Sequence, residues 1–208
     1  MIDEEFSLLT HKLPTSRVID GIEYFLDTRT TKALQAIFLL SHEEIPTVDR
    51  LDMLLRMLVR NYDDITAETV EGVEDFVADF LKGYPKTVGG RPQKQEVMSY
   101  AQDHDLIVSS FREAYGFSLE EIQAMHYWLF LAYLNGLPST TRLANVMQIR
   151  LTTISSKDSA EVRNAKIRAK QAVALRPRHK LNAETGKKRN GMDIISSALE
   201  EEDKNLNG

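Results

Sequence analysis

The sequence predicts a mainly α-helical protein, a bundle of about six helices with a small N-terminal β-hairpin and a charged C-terminal tail. Three observations support this fold class. In several stretches apolar residues recur every three or four positions, which is the spacing of an amphipathic helix. The pair Asp20-Gly21 separates two β-branched and aromatic runs, as in a two-residue hairpin turn. All 7 Tyr, all 8 Phe and the 1 Trp precede Ser156, so the segment that follows has little with which to build a core.

Length and composition limit the classes of protein that fit. A chain of 208 residues allows one domain with appendages or two small domains. The longest apolar run is far shorter than the ~18 residues that a membrane-spanning helix needs. With 0 Cys, a disulfide framework, thiol catalysis and a Cys-ligated metal site are excluded. The N-terminus is acidic where a secretory signal is basic, so we expect a soluble protein without a targeting segment and with no membrane partner.

Charge is distributed unevenly along the chain, whose formal net charge is −5 at pH 7. Residues 1–156 contain 14 Lys and Arg against 23 Asp and Glu. Residues 157–190 contain 11 against 3, and residues 191–208 contain 1 against 5. This pattern predicts an acidic folded body, a basic arm and an acidic tip.

The first half of the chain predicts the hairpin and three helices. A first helix runs from about Thr28 to His42, with Asp27 as its N-cap. Pro46 ends the loop that follows, and two amphipathic helices come next. Their apolar stripes are Leu51, Leu54, Leu55 and Leu58 in one, and Val70, Val73, Val77, Phe80 and Leu81 in the other.

The second half predicts three more helices with local start and stop signals. Gly116 stops the first of them. Ser118 and Glu121 match a capping box that opens the second, which Gly136 and Pro138 end. The predicted ranges are 97–115, 119–135 and 141–154, and 119–135 is expected to be one continuous helix.

These patterns divide the chain into four segments. Residues 1–82 form a subdomain of the hairpin and its helices, and residues 97–156 form a second helical subdomain. Residues 83–96 contain Gly and Pro and are predicted to be a flexible linker. Residues 157–208 form the charged tail, which is predicted to be partly helical or disordered.

No catalytic, cofactor-binding or metal-binding constellation is predicted. The clusters at 42–44 and 103–105 contain His, Asp and Glu, but residues two apart on a helix diverge by about 200°. His126 lies in an apolar stretch and is interpreted as a hydrogen-bonded interior histidine rather than a catalytic base. The Gly-Gly pair at 89–90 lacks the Lys-Ser/Thr and the preceding strand of a phosphate-binding loop. We therefore expect a protein that is not an enzyme and that needs no cofactor or metal.

The basic arm is the strongest candidate for a binding surface. Asp158 or Ser159 can cap a helix running to Leu175, which places three cations on one stripe. Dense positive charge can neutralise phosphates, but no aromatic residues are interleaved to stack on bases. Contact with a protein is therefore favoured over a solubilising tail, and nucleic acid is the least favoured of the three. The candidate partner-binding residues are Arg163, Lys166, Lys170, Arg176 and Arg178.

Several motifs together resemble a family of small phage and prophage proteins of Gram-positive hosts. A helix that ends in Phe-x-x-x-Tyr-Gly leads into a His-x-Trp-x-Phe helix, and the hairpin is similar to the family's opening. The likeness covers roughly residues 12–150 and includes Arg150; where the family commonly has a second Trp, this chain has Tyr127. The signature residues are Asp20, Gly21, Phe111, Tyr115, Gly116, His126, Trp128, Phe130 and Gly136.

The resemblance implies a tail-assembly chaperone of long-tailed (siphovirus) phages, encoded next to the tape-measure protein. Such a protein would bind the tape-measure protein and/or the major tail protein that forms the tube. It would form a homo-oligomer and act in the host cell cytoplasm. A nucleic-acid-associated regulatory protein that uses the basic arm is the alternative.

Overall fold

The computed structural model describes residues 7–84 and 97–176, which contain eight α-helices and one two-stranded antiparallel hairpin. This confirms the predicted fold class. The described residues belong to two compact units, one made of 7–84 with Gln123–Phe130 and the other of 97–122 with 131–176. Most of the predicted linker and the tail from residue 177 onward lie outside the described residues, so the four predicted segments stay a prediction.

The hairpin of the first unit forms as its turn residues predict. Strands β1 (Ser16–Ile19) and β2 (Ile22–Phe25) pair antiparallel, with Ile19 opposite Ile22. The turn residues Asp20 and Gly21 have φ angles of 48° and 83°. Two consecutive positive φ angles are what a type I′ turn requires, and Gly adopts them without strain.

Helix α1 (Thr30–Leu40) begins later than predicted, and Asp27 does not cap it. The backbone before the helix is held extended, because the amide of Asp27 donates to the carbonyl of Leu58 at 2.7 Å. The amide and the hydroxyl of Thr30 both donate to the carbonyl of Met125, at 2.8 and 2.9 Å. Because of these tertiary hydrogen bonds, the backbone before Thr30 cannot be helical. The Asp27 carboxylate therefore does not cap the helix and accepts a hydrogen bond from the Arg29 side chain at 2.8 Å.

Helices α2 (Thr47–Leu58) and α3 (Val70–Lys82) carry the predicted apolar stripes, and a 3-10 turn (Tyr62–Asp64) lies between them. All four leucines of the α2 stripe are buried, as are all residues of the α3 stripe except Val70. Gly72 lets the hairpin approach α3 closely. A Cβ added there would lie 2.7 Å from Cγ2 of Ile19.

In the second unit, helix α4 (His104–Tyr115) begins later than predicted. The preceding residues form turns, and the carboxylate of Asp103 accepts the amide of Ser99 at 2.9 Å. The predicted stop is confirmed, since Gly116 has φ 77° and its amide donates to the carbonyl of Arg112. A left-handed Gly after the last helical residue is a common way to end a helix.

The capping box that opens helix α5 (Leu119–Ala124) is confirmed. The amide of Ser118 donates to Oε2 of Glu121 at 2.7 Å, and the amide of Glu121 donates to Oγ of Ser118 at 3.2 Å. The hydrogen bonds are reciprocal, as the motif requires.

The predicted continuous helix 119–135 is wrong, because the chain breaks into α5 and α6 (Tyr127–Asn135). At the break, His126 forms an antiparallel β-bridge with Arg29. The amide of Tyr127 donates to the carbonyl of Thr28 at 2.8 Å. Since these amide and carbonyl groups bind a distant extended segment, they are not available to an uninterrupted helix.

Helices α7 (Arg142–Leu151) and α8 (Ala160–Ala172) have side-chain caps and end earlier than predicted. Thr141 accepts the amide of Ala144 in α7, and Ser159 accepts the amide of Val162 in α8. The count of eight exceeds the predicted six because one helix is divided and the tail contributes α8. Within the described ranges, no helix is long and apolar enough to cross a membrane.

Candidate protein-interaction surfaces

The predicted basic stripe on α8 is directed at the loop that precedes the helix, residues 152–158. All three of its cations are half-buried and donate hydrogen bonds to this loop. Arg163 Nη2 donates to the carbonyls of Ser156 (3.1 Å) and Asp158 (3.2 Å). Lys166 Nζ donates to Oδ2 of Asp158 (2.8 Å), and Lys170 Nζ donates to the carbonyl of Thr152 (2.9 Å). The stripe thus holds α8 in place within its own unit.

The remaining predicted partner-binding residues lie at the end of the described chain or beyond it. The side chain of Arg176 is exposed, while its backbone exchanges two hydrogen bonds with the side-chain amide of Gln102, at 2.7 and 3.1 Å. Arg178 lies outside the described residues. Arg168 on α8 is exposed although the sequence did not single it out. Its position away from the 152–158 loop follows from helix geometry once the inward face is known.

A buried ion pair that sequence reasoning missed lies in the second unit. Nη1 and Nη2 of Arg150 contact the two carboxylate oxygens of Asp103 at 2.7 and 2.9 Å, and the residues are 7% and 3% exposed. Nη1 also donates to the carbonyl of Val97 (2.8 Å), and Nε donates to that of Val173 (2.6 Å). Burial acts to raise the pKa of Asp103, but hydrogen bonds from Arg150 and the Ser99 amide outweigh it, so the pKa is lowered. The pair joins the segment before α4, the end of α7 and the chain after α8.

The two clusters with metal-ligand residue types form separate pairs. His42 contacts Glu44, and His104 Nδ1 lies 2.8 Å from an oxygen of the neighbouring Asp105. Asp103, the third member of the second cluster, is bound to Arg150. In the part of the chain that the structure describes, no three His, Asp or Glu side chains are grouped to hold a metal ion.

His126 is a half-buried side chain of the first unit, and both of its ring nitrogens have hydrogen-bond partners. Nδ1 accepts the amide of Trp128 at 3.1 Å, and Nε2 lies 3.2 Å from the carbonyl of Pro14. A nitrogen that accepts and a nitrogen that donates define the neutral imidazole. Burial lowers the pKa of His126, partly opposed by the contact with the Pro14 carbonyl. The ring therefore links two segments of the first unit.

The remaining signature residues occupy cores and turns. In the first unit Trp128 is 0% exposed and its Nε1 donates to the carbonyl of Phe80 at 2.8 Å. In the second unit the hydroxyl of Tyr115 donates to the carbonyl of Tyr133 at 2.9 Å. A Cβ at Gly136 would lie 3.3 Å from that hydroxyl oxygen. The other buried signature side chains are Phe111 and Phe130.

The first unit presents an exposed acidic surface between the 3-10 turn and the middle of α3. Its five carboxylates are exposed, and none forms an ion pair with another described residue. Exposed carboxylates that follow closely along the chain produce a negative potential that attracts a basic partner. We define the acidic surface as Asp63, Asp64, Glu68, Glu71 and Asp75.

Apolar side chains also reach the surface of the first unit. On the outer side of the hairpin, Val18 is 65% exposed and Phe25 is 42% exposed. On α2, Val48 and Met53 are 63% and 45% exposed. Exposed apolar side chains can contribute contact area to a protein-binding surface.

Comparison with known families gives one match. The family described as "Bacteriophage Gp15 protein" matches residues 9–175. The match extends beyond the resemblance seen in the sequence, because it includes α8. Comparisons with curated proteins and with solved structures return no match. Since most of the chain is matched, from before the hairpin to beyond α8, the protein belongs to the Bacteriophage Gp15 protein family.

Proposed function

We propose that this phage protein is a tail-assembly chaperone that binds the tape-measure protein and/or the tail-tube protein of its phage, without catalysing a reaction. The observation that carries the proposal is family membership over residues 9–175. That match includes the Phe-x-x-x-Tyr-Gly and His-x-Trp-x-Phe motifs through which the chain resembles tail-assembly chaperones. The chaperone acts as a homo-oligomer in the host cell cytoplasm.

The distribution of buried and exposed residues supports a binding role. The signature side chains that are buried stabilise the two units, so a client would be recognised by other residues. The acidic surface of the first unit favours a client segment rich in Lys and Arg through complementary potential. The exposed Val18, Phe25, Val48 and Met53 add apolar area for contact.

Co-expression with the tape-measure and tail-tube proteins of the same phage tests the proposal. The full chain is purified by an affinity tag, and the complexes are sized by light scattering. We expect at least one of the two tail proteins to co-purify in a multimeric complex. A folded chain that captures neither, and that instead retains nucleic acid at low salt, would contradict the proposal and favour the regulatory alternative.

Charge-neutralising variants then test the acidic surface. We expect capture of a basic client to weaken about tenfold, and the effect to shrink as salt rises, because exposed charges are screened. A control with the same net charge carries three exposed carboxylates neutralised elsewhere and should capture the client as the wild type does. The test variant is Glu68→Gln/Glu71→Gln/Asp75→Asn, and the control is Glu43→Gln/Glu113→Gln/Glu161→Gln. Equal loss in both would show that only net charge matters.

A further inference from the structure

Helix α8 differs from the rest of the second unit in how it is attached. None of its 13 residues is buried, and Val162 is 45% exposed. Helices α4 and α7 contain side chains that are 0% exposed, such as Phe111 and Leu143. Since buried apolar area is the main stabilising contribution to packing, α8, whose Ile167 is only half-buried, has less of the contribution that holds α4 and α7.

Polar contacts hold α8 instead. Lys166 pairs with Asp158, while Arg163 and Lys170 donate to backbone carbonyls of the 152–158 loop. When these contacts open, water can replace the carbonyl and carboxylate oxygens as hydrogen-bond partners. The Lys166–Asp158 pair is also partly exposed, with side chains 30% and 16% accessible. An exposed ion pair contributes little to stability because water screens it.

The end of α8 is held by two further hydrogen-bonded contacts. Nε of Arg150 donates to the carbonyl of Val173, and the side-chain amide of Gln102 binds the backbone of Arg176. Opening these contacts leaves the Arg150–Asp103 pair and its bond to the Val97 carbonyl in place. The segment after α7 is therefore able to detach while the ion pair of the second unit stays intact.

We propose that α8 is a polar strap that detaches from the second unit before α4 and α7 unfold, and that its detachment uncovers three cations for an acidic protein surface. The cations are Arg163, Lys166 and Lys170. In the attached state their ligands are four carbonyls and one carboxylate of the 152–158 loop, which an acidic segment of a partner replaces. This proposal does not depend on which tail protein is the client.

Hydrogen exchange of the full chain, followed by mass spectrometry of peptides, tests the detachment. We expect the amides of residues 160–172 to exchange about 100-fold faster than those of 104–115 and 142–151, because α8 opens without unfolding of its neighbours. Equal protection of all three helices would overturn the proposal, since α8 would then open only with the whole unit.

A matched pair of variants tests the contacts that hold the strap. Asp158→Asn removes the carboxylate ligand of Lys166, which keeps its weaker contact with the Thr153 carbonyl, and should speed exchange in α8 by about two- to fivefold, the effect of a partly exposed ion pair. Glu113→Gln makes the same charge change at an exposed position of α4 and should leave α8 exchange unchanged. Exchange in α8 that responds to neither variant would overturn the role of the ion pair.

The partner chemistry is tested with poly-L-glutamate as a model acidic chain and duplex DNA as its comparison. We expect Asp158→Asn to bind poly-L-glutamate about threefold more tightly than Glu113→Gln, because the two have equal net charge and differ in detachment of α8. Equal binding by the two variants would overturn the proposal. An increase confined to duplex DNA would overturn the assignment to an acidic protein surface.

Discussion

Replacing Arg150 by Met tests whether the buried ion pair holds the second unit together. Met fills part of the same volume but leaves the carboxylate of Asp103, which is 3% exposed, without its counterion. The carbonyls of Val97 and Val173 lose their hydrogen-bond donors as well. An uncompensated buried charge costs about 3–5 kcal/mol when one partner of a pair is removed. We expect the free energy of unfolding of the second unit to fall by about that amount.

A double variant distinguishes the net contribution of the ion pair to stability from the cost of leaving one charge unpaired. Asp103→Leu/Arg150→Met removes both charges and replaces them with apolar side chains. Such replacements are often neutral or stabilising, so we expect the double variant to lie within about 2 kcal/mol of the wild type. The interaction between the two positions then appears as a large coupling in the double-mutant cycle.

Urea denaturation followed by far-ultraviolet circular dichroism measures these changes. The single Trp, Trp128, lies in the first unit, so its fluorescence transition serves as an internal reference. A loss below about 1 kcal/mol in Arg150→Met would refute the reasoning, because removing the counterion of a buried carboxylate should destabilise the unit by more than that. A double variant as unstable as the sum of the two single variants would refute it too.

The Asp103–Arg150 pair should also affect how the stability of the protein changes at acidic pH. The pKa of Asp103 is lowered in the fold, so the ionised carboxylate is favoured there over the unfolded chain. The stabilisation that the ionised Asp103 carboxylate provides is complete above the ordinary Asp pKa of about 3.8, and it is lost as the pH falls through the lowered pKa of the folded state. Relative to the wild type, Asp103→Asn should therefore lose stability at neutral pH and show a shallower decline below pH 4. Parallel acid curves for the two proteins would contradict this origin of the shift.

Three further predictions concern single residues. Gly72→Ala should lose about 1–2 kcal/mol in thermal denaturation, because the new Cβ would lie 2.7 Å from Cγ2 of Ile19; an unchanged melting temperature would contradict this close approach. Gly116→Ala should lose about 1–2 kcal/mol because φ is 77°, and Gly116→Asn should lose less; equal losses would argue against left-handed strain. Burial lowers the pKa of His126, so its stabilisation is complete above about pH 6.5 and is lost as the pH falls through that value towards the folded pKa. The pH dependence of stability below about pH 6.5 should flatten in His126→Gln and persist in the control His104→Gln, whose side chain is exposed.

Local features of the fold are predictable because they depend on neighbours in the chain. The positive φ angles at Asp20 and Gly21, the Ser118–Glu121 capping box and the left-handed Gly116 all match their sequence signals. Each arises from backbone conformation or a hydrogen bond spanning four residues or fewer. The apolar stripes of α2 and α3 belong to the same class, since helical spacing alone defines them.

Non-local hydrogen bonds explain why two features predicted from the sequence, the continuous helix 119–135 and the Asp27 N-cap, are wrong. The sequence around Met125 and His126 has ordinary helical spacing, yet its backbone bonds to Thr28 and Thr30, about a hundred positions away, and divides the predicted helix. Asp is a residue type that commonly caps helices, but the backbone amide of Asp27 donates to the carbonyl of Leu58 and holds this segment extended. Nothing in the local pattern indicates that either backbone segment has a distant partner.

The candidate binding residues show the same division. Helical spacing predicts that Arg163, Lys166 and Lys170 share a stripe, and they do. Only the tertiary structure decides that this stripe turns towards the 152–158 loop and that Arg168 turns outward. Periodicity defines the angle between side chains but not the orientation of the helix on its unit, which packing determines.

The sequence by itself therefore determined the helical class, the hairpin, most caps and the uneven charge, because each depends on residue type and short spacing. The tertiary structure decided the pairing of Asp103 with Arg150, since residues separated by 47 positions share no local signal. It likewise decided the break before α6 and the inward face of α8. These depend on which distant backbone and side-chain groups meet, and burial makes those contacts obligatory because an unpaired polar group in the interior is costly.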